Sequence, residues 1–443
     1  MDNNAIKKVA TIISASWIYT ADSEDSLLKD YSVVVDANRI IDLLPTEKVF
    51  ESYEASEVYS LSDHIIIPGL INTHTHSAMS LFKGYADDLR LKSWLNEYIW
   101  PAEKQHVDSK FVKDGSMIAI AEMLKGGITT FNDMYFFPQS TAEAVSETGI
   151  RSNIGLVVLE FSTNYANDPG DYLSKGFEFM DSCRENSLIT TSIAPHAPYS
   201  VSDKTFELIG TYAEQLGLSI HTHLQETQSE VQESIKKFGV TPTQRLSSLN
   251  ILGPNLLAAH CVHLSEQDLD LLALNNVYIS HNPSSNLKLG SGLADLSSMI
   301  KRGVSVSLGT DSSASNNRLD IFEEMRLASL LVKGKSGNPE HLPAVEVLRM
   351  VTIEAAKALG LESDIGSIEI NKKADMVSIN LDSIDLLPSY DPLATVIYSA
   401  GRSDVNYVWV DGNVKLKENE LVNIDTDKLK FLAKSWQTKI QKI

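Results

Sequence analysis

Between Ile65 and Gly309 the chain repeats one alternation: a short run of β-branched and apolar residues, a polar break, then a helical stretch. Such runs are Ile65 to Ile71, Ile128 to Asn132, Asn153 to Leu159, Leu188 to Ala194, Ser219 to His223, Leu256 to His260, Val277 to Ser280 and Ser305 to Gly309. Short apolar runs bounded by turn residues mark strands buried on both faces, and their alternation with helices marks a parallel sheet. Eight such units predict a (β/α)8 TIM-like barrel over residues 65–364. That architecture constrains everything else, because the C-terminal ends of its strands converge on one mouth. Helices are expected between the strands, among them Phe111 to Lys125 before Gly126-Gly127, and Asp203 to Leu216 with Ser202 as N-cap and Gly217 as stop.

The outer segments read differently. From Ala5 to His64 short apolar runs alternate with polar turns, as in small antiparallel strands. The C-terminal part repeats the style in Ala374 to Ile379 and in Tyr407 to Val414, where Asp411-Gly412-Asn413 makes a hairpin signal. Neither end alone has enough strands to bury a face. Residues 1–64 and 365–443 are therefore expected to join into one β-sandwich domain, with a closing helix from Thr426 to Ile440.

The chain has 443 residues, enough for a barrel and a smaller module, and carries 38 Lys and Arg against 58 Asp and Glu. The net charge of −20 argues against a nucleic acid or an anionic membrane as partner. Only Cys183 and Cys261 are present, too few for a disulfide framework or a thiolate zinc site. Met1 to Ala10 is polar and mixed in charge, and nowhere do about 20 apolar residues run without a charge. A cytoplasmic protein acting on a small molecule is expected.

Strand ends carry the chemistry. The first run finishes in His74-Thr75-His76, and on a strand residues i and i+2 face the same side. Alone, this pair reads as packing as readily as a metal site. It is repeated in His221-Thr222-His223, and a third strand end delivers Asp311. His74, His76, His223 and Asp311 make a set of three imidazoles and one carboxylate that suits zinc or ferrous iron and activates a bound water toward hydroxide. A two-metal barrel hydrolase would want a bridging Lys or Glu at the end of strand four, which here reads Ile193-Ala194-Pro195-His196, so one metal is favoured. Glu226, three residues after His223, is placed to face the same water and to move a proton to a ring nitrogen and a leaving group. His260 is the better candidate than His263 for contacting that water, and Asp311 is a second acceptor for its proton. Seen singly, Glu226 would pass for a helix cap and His260 for a core histidine.

With these residues in hand, further segments become legible: Pro68 to His76, Gly84 to Leu89, Trp94 to Glu103, His223 to Thr227, Ala259 to His263, His281 to Leu289 and Gly309 to Asp311. They resemble the amidohydrolase superfamily, and within it the branch of 5′-methylthioadenosine/S-adenosylhomocysteine deaminases and the related chlorotriazine hydrolases. The resemblance spans almost the whole chain. It implies that His74, His76, His223 and Asp311 hold one divalent metal, usually zinc, and that Glu226 protonates purine N1 while His260 and Asp311 handle the attacking water. It further implies that Glu103 grips the ribose hydroxyls, that His196 contacts substrate, and that the protein is a homodimer. The implied reaction is hydrolytic deamination of an adenine nucleoside at C6 by a metal-bound hydroxide, with 5′-methylthioadenosine favoured and adenosine next.

One departure stands out. Some members carry an arginine pair after strand three for the homocysteine carboxylate, whereas here Gly155 to Ser162 contains no arginine. An apolar strand end with Phe161 suits a methylthio group better than a buried carboxylate without a paired cation. Trp94 and Trp100 with Leu89 and Leu91 read as core packing in preference to a lid. His281 is left out of the metal set, and His64, His106, His221, His263 and His341 receive no role. The competing readings are an aminohydrolase or chlorohydrolase of a ribose-free ring, such as a triazine, guanine-type purine or pterin, and a non-catalytic barrel scaffold. The cytidine-type zinc deaminases are excluded, since Pro-Cys-x-x-Cys is absent.

Overall fold

The structure, a computed structural model, describes residues 6–441, so the outermost residues of the terminal segments, 1–5 and 442–443, lie outside it. Its centre is an eight-stranded sheet whose hydrogen-bonded order follows the chain. The strands are Leu70–Thr75, Ile128–Tyr135, Arg151–Val158, Ile189–Pro195, Ser219–Leu224, Leu256–His260, Tyr278–His281 and Ser305–Leu308. All neighbouring pairs are parallel. Polar bonds close the barrel between the first strand and the eighth: Thr73 Oγ1 donates to Leu308 O at 2.9 Å, Asp311 N to His74 O at 2.9 Å, and Asn72 Nδ2 to Thr310 Oγ1 at 2.7 Å. Gly309 permits this seam, because a Cβ there would fall 2.8 Å from the Cβ of His74. The helices Ser109–Lys125 and Asp203–Leu216 form as the sequence signals require, the second with Ser202 accepting from Thr205 N and Gly217 in the left-handed conformation.

The terminal segments form the second sheet, also of eight strands, whose central pairing joins the two ends of the chain: Tyr53–Pro68 lies between Lys7–Tyr19 and Met376–Asn380. Two expectations change here. The Lys7–Tyr19 and Tyr53–Pro68 pairing is parallel, so the sheet is mixed and not wholly antiparallel. The expected sandwich is one continuous sheet that curls on itself. Ile40 N donates to Lys372 O at 2.9 Å across the fold, and Ile13, Val33, Tyr59, Tyr407 and Trp409 pack together inside.

A third change concerns the opening run. Ile65–Pro68, expected in the first barrel strand, ends the long strand of the terminal sheet and pairs with Met376–Ile379. The barrel strand begins only at Leu70. Pro68 has no N–H to continue a ladder, and Gly69 lies so close to Thr129 that a Cβ there would fall 2.1 Å from its Oγ1. The chain thus crosses from sheet to barrel at this point.

Arg151, at the N-terminal end of the third barrel strand, pins the two sheets together through Asp375, with Nε to Oδ2 at 2.9 Å and Nη2 to Oδ1 at 3.1 Å. Removing one partner of a buried pair costs about 3–5 kcal/mol. The terminal sheet thus braces the barrel at the end remote from the C-terminal mouth. The final helix, Thr426–Ile440, packs on Ser109–Lys125: Trp436 Nε1 donates to Asp114 at 2.8 Å and its ring meets Phe111 edge-on. Among the described residues no helix is long and apolar enough to cross a membrane.

Candidate active site

At the mouth of the barrel the strand ends bring His74, His76, His223 and Asp311 together. His76 Nε2 lies 3.2 Å and His74 Nε2 3.4 Å from Asp311 Oδ1, and the Nε2 atoms of His76 and His223 are 3.3 Å apart. Zinc held tetrahedrally at 2.0–2.1 Å has ligand atoms about 3.4 Å apart. The observed spacings match that polyhedron. The far sides of the rings are already committed: His76 Nδ1 donates to Met134 O and His223 Nδ1 to His196 O, each at 2.6 Å. This fixes the tautomers so that both Nε2 lone pairs face inward. His74 Nε2 is buried without a hydrogen-bond partner, as expected of an atom built to meet a cation. The donor set and its orientation therefore fit a single divalent ion of the zinc or iron type.

The charge states agree with that fit. Burial holds His223 well below the ordinary imidazole range and His74 down at about 4, so both rings are neutral. Burial works against a charge on His76 as well, but the Asp311 carboxylate outweighs it and raises that ring. Burial alone would raise Asp311, yet the neighbouring His74 and His76 rings hold it well below the usual carboxylate range. The outer oxygen of Asp311, Oδ2, accepts from Ser285 Oγ at 2.6 Å and Ser315 Oγ at 2.5 Å, which leaves Oδ1 for the cluster. Non-glycine residues with positive φ gather at these strand ends: Gln225 at 49°, His260 at 72°, Cys261 at 50° and Asp311 at 59°. Such backbone strain is concentrated at sites where side chains are aimed rather than merely packed.

Glu226 and His260 face each other beside the cluster, 4.0 Å apart from Oε2 to Nε2. His260 Nδ1 is engaged by Asn286 Oδ1 at 2.8 Å, which turns Nε2 toward the cavity. Glu226 Oε1 accepts from Ser291 Oγ at 3.2 Å, and its backbone N–H is held by the Glu230 carboxylate at 2.9 Å. Burial raises the Glu226 carboxyl, partly offset by His260, which favours its protonated form relative to an exposed glutamate.

The cluster opens into a cavity of about 440 Å³, which His76, His196, His223, Glu226, His260 and Asp311 all line. Glu103 lines it too, on the helical segment Trp100–His106 that continues a π-helical turn, Trp94–Ile99. Tyr135 OH donates to Glu103 Oε1 at 2.7 Å, and desolvation pushes the Glu103 carboxyl up to about 7. His196 is held by Ser200 Oγ at 2.8 Å from Nδ1 and pushed down to about 3 by burial, so it meets a ligand as a neutral ring. The remaining wall is apolar. Leu91, Trp94, Leu95, Ile99 and Trp100 line it, and Trp100 meets Phe161 at 6.1 Å across the opening. The expected core packing is seen, with Trp94 buried in a hydrophobic cluster and Trp100 packed against it, but both rings line the hollow as well. Their apolar stripe has a hollow on one side, while Leu89 packs beneath it.

All the residues singled out in the sequence thus surround one cavity, with His74 buried directly behind it. Others were missed. His221 lies 2.9 Å from His74 Nδ1 through its Nε2 and 3.1 Å from the Asn132 amide through its Nδ1, and so orients that ring. The same i, i+2 rule that pairs His74 with His76 places His221 beside His223, so the signal was present. Tyr135, Ser285, Ser315 and Asn286 gave no local signal. His281, His64 and His263 stay outside the cavity wall, as expected.

Comparison with known proteins supports the assembled picture. A 5-methylthioadenosine/S-adenosylhomocysteine deaminase of Teredinibacter turnerae is 39% identical over 431 residues, covering 97% of each chain. A 5′-deoxyadenosine deaminase of Methanosarcina mazei is 40% identical over 422 residues, covering 94% of this chain and 95% of its own. The crystal structure of an adenosine deaminase from Xanthomonas campestris with bound zinc superposes with a TM-score of 0.97 at 37% identity, covering 99% of this chain and 100% of that one. The Amidohydrolase family profile matches residues 65–415, from the last residues of the long terminal strand through the barrel, and with full-length relatives near 40% identity the chain belongs to the amidohydrolase family.

Proposed function

We propose that this protein catalyses the hydrolytic deamination of an adenine nucleoside at C6, with 5′-methylthioadenosine preferred over adenosine, and that His74, His76, His223 and Asp311 hold one zinc ion. The relatives named as deaminases of 5′-methylthioadenosine, 5′-deoxyadenosine and adenosine support the substrate class, and the zinc-bound relative supports the metal. The observation that carries the reading is that Glu103 lines the same cavity as the Glu226–His260 pair. A carboxylate offers two acceptor oxygens for the two neighbouring hydroxyls of a ribose.

When bound, a divalent ion supplies Lewis acidity, lowering the pKa of a coordinated water to about 7. The protein's own groups do the rest. His260 Nε2 and Asp311 accept hydrogen from the attacking water, whose oxygen adds to C6. Glu226 delivers a proton to N1, which takes the electron pair of the C6–N1 π bond. Glu226, now a carboxylate, takes the proton of the new C6 hydroxyl and passes it to N6; the C6–N6 bond breaks as the C6 carbonyl forms, ammonia leaves, and the proton that Asp311 took from the water returns to Glu226. His196, kept neutral, contacts the purine without adding charge.

The 5′ end of the nucleoside faces Trp100, Leu159 and Phe161. Among the described residues no arginine lines the cavity, and Lys104 at its rim is its one lysine. A thioether or methyl group is therefore preferred to the charged tail of S-adenosylhomocysteine, whose carboxylate would be desolvated without a close partner. The absence of paired cysteines among the described residues agrees with a cytoplasmic enzyme. The homodimeric state belongs to the same proposal and is checked by light scattering.

The test is ammonia release by zinc-loaded protein from 5′-methylthioadenosine, adenosine, S-adenosylhomocysteine, guanine and a chlorotriazine, compared by kcat/KM. Preference for 5′-methylthioadenosine over S-adenosylhomocysteine is expected. Turnover restricted to the ribose-free rings would keep the metal chemistry and remove the nucleoside reading.

A further inference from the structure

We propose that Tyr135 and Asn164 are positioning residues that mount Glu103 from two sides and thereby set the enzyme's discrimination for a ribose diol; the inference rests on the ribose role given to Glu103 above. The segment that carries Glu103, Trp100–His106, is the end of a helical run that starts at Leu91 and passes through the π-helical turn Trp94–Ile99. The carbonyls of a helix's last turn lack partners within the helix. Here the partners come from the loop after the third barrel strand. Asn164 Nδ2 donates to Lys104 O at 2.9 Å and to Val107 O at 3.0 Å, with Glu103 O at 3.5 Å. One amide thus caps the helix end from a distant segment.

That segment is anchored in turn. Thr163 N donates to Ala166 O at 2.8 Å, Thr163 Oγ1 lies 2.7 Å from the hydroxyl of Tyr172, and Lys175 Nζ donates to Tyr165 O at 2.7 Å. Tyr172 and Tyr165 are buried, and the Tyr165 ring packs edge-on against Phe137. Asn164 therefore projects from a fixed base. The second mount acts on the carboxylate itself. Tyr135, buried at the end of the second barrel strand, donates to Oε1 and so selects one rotamer of Glu103, leaving Oε2 and the second lone pair of Oε1 to accept. Helix position and carboxylate orientation are fixed by different barrel strands, and misplacing a binding group by a fraction of an ångström is enough to lose a directional hydrogen bond.

The experiment compares adenosine with 2′,3′-dideoxyadenosine on the zinc-loaded enzyme and on Y135F, N164A, E103A and the two double variants with E103A. Y135F and N164A are each expected to lower kcat/KM for adenosine roughly tenfold through KM, the effect of a lost or misaligned hydrogen bond to a charged group. Their kcat/KM for the dideoxynucleoside stays within about twofold of wild type, and neither substitution lowers kcat/KM further once Glu103 is gone. Equal losses on both nucleosides, or additive losses in the E103A background, would overturn the mount and leave these residues serving only the fold. If E103A reduces the preference for adenosine while Y135F and N164A do not, the mount alone is rejected. If E103A leaves that preference unchanged, the ribose reading itself fails, and the mount with it.

Discussion

The two ends of the cavity are built on different principles. At the metal end every group stands on a barrel strand or just beyond one, most of the rings and carboxylates are buried, and their outward atoms are tied to backbone carbonyls, hydroxyls or other buried side chains. Around Glu103, by contrast, the cavity is lined by the end of a π-bulged helical run and by loops, held by side-chain contacts such as Trp100 with Phe161. The chemistry is carried by the rigid scaffold and substrate choice by what is laid across it. Loops tolerate change that strand ends do not. The relatives near 40% identity, which carry names for different 5′ groups on one nucleoside, fit that division.

The contrast can be broken at the metal end first. E226Q keeps the shape and removes the proton carrier, so kcat is expected to fall about 10²–10⁴-fold on every nucleoside while zinc content by elemental analysis stays at the wild-type level. Loss of zinc in E226Q would mean that Glu226 belongs to the metal set and not to proton transfer. Next comes Asp311, oriented through its outer oxygen. S285A and S315A are each expected to weaken zinc about 10–100-fold in a chelator competition, with little change in KM for nucleoside. Unchanged zinc affinity would show that the two hydroxyls do not govern Asp311.

The substrate end predicts smaller effects that depend on the ligand. Because Glu103 titrates at about 7, its ionised form fades as pH falls. KM for adenosine is therefore expected to rise about tenfold from pH 8 to pH 6, since the ionised fraction falls by that factor. In E103Q the rise disappears, and a profile that persists in E103Q assigns the titration elsewhere. Smallest of all, W100A removes one side of the aromatic closure, worth about 1 kcal/mol. KM for 5′-methylthioadenosine should rise about fivefold and more than KM for adenosine. An equal rise for both would place Trp100 over the base or sugar instead of the 5′ group.

Much of the metal end is legible in the amino-acid sequence, and for a local reason. His74 and His76 share a side because strand residues alternate, and a barrel collects strand ends at one mouth, so Asp311 and His223 need no knowledge of their neighbours. The helix from Asp203 to Leu216 is equally readable, because Ser202 and Gly217 mark its ends within the segment itself. Glu103 becomes visible only through resemblance, since nothing in its own stretch shows a facing cavity. The Trp94 and Trp100 stripe is legible only in part, for a related cause: a hydrophobic period reveals a buried face but not whether a hollow also lies against it. Ile65 to Pro68 is misplaced because a β-branched run carries no mark of which sheet it joins.

What this sequence determines by itself is the alternation that makes a barrel, the joining of its two ends into one β-domain, and the residue types standing at each strand end. These follow from the spacing of side chains along a strand and from caps a few residues away. Only the tertiary structure decides which hydroxyls hold Asp311, which amide fixes His260 and which phenol meets Glu103. Each of those contacts joins segments far apart in the chain, and the requirement that a buried polar atom find a partner says that one must exist without saying where in the sequence it lies.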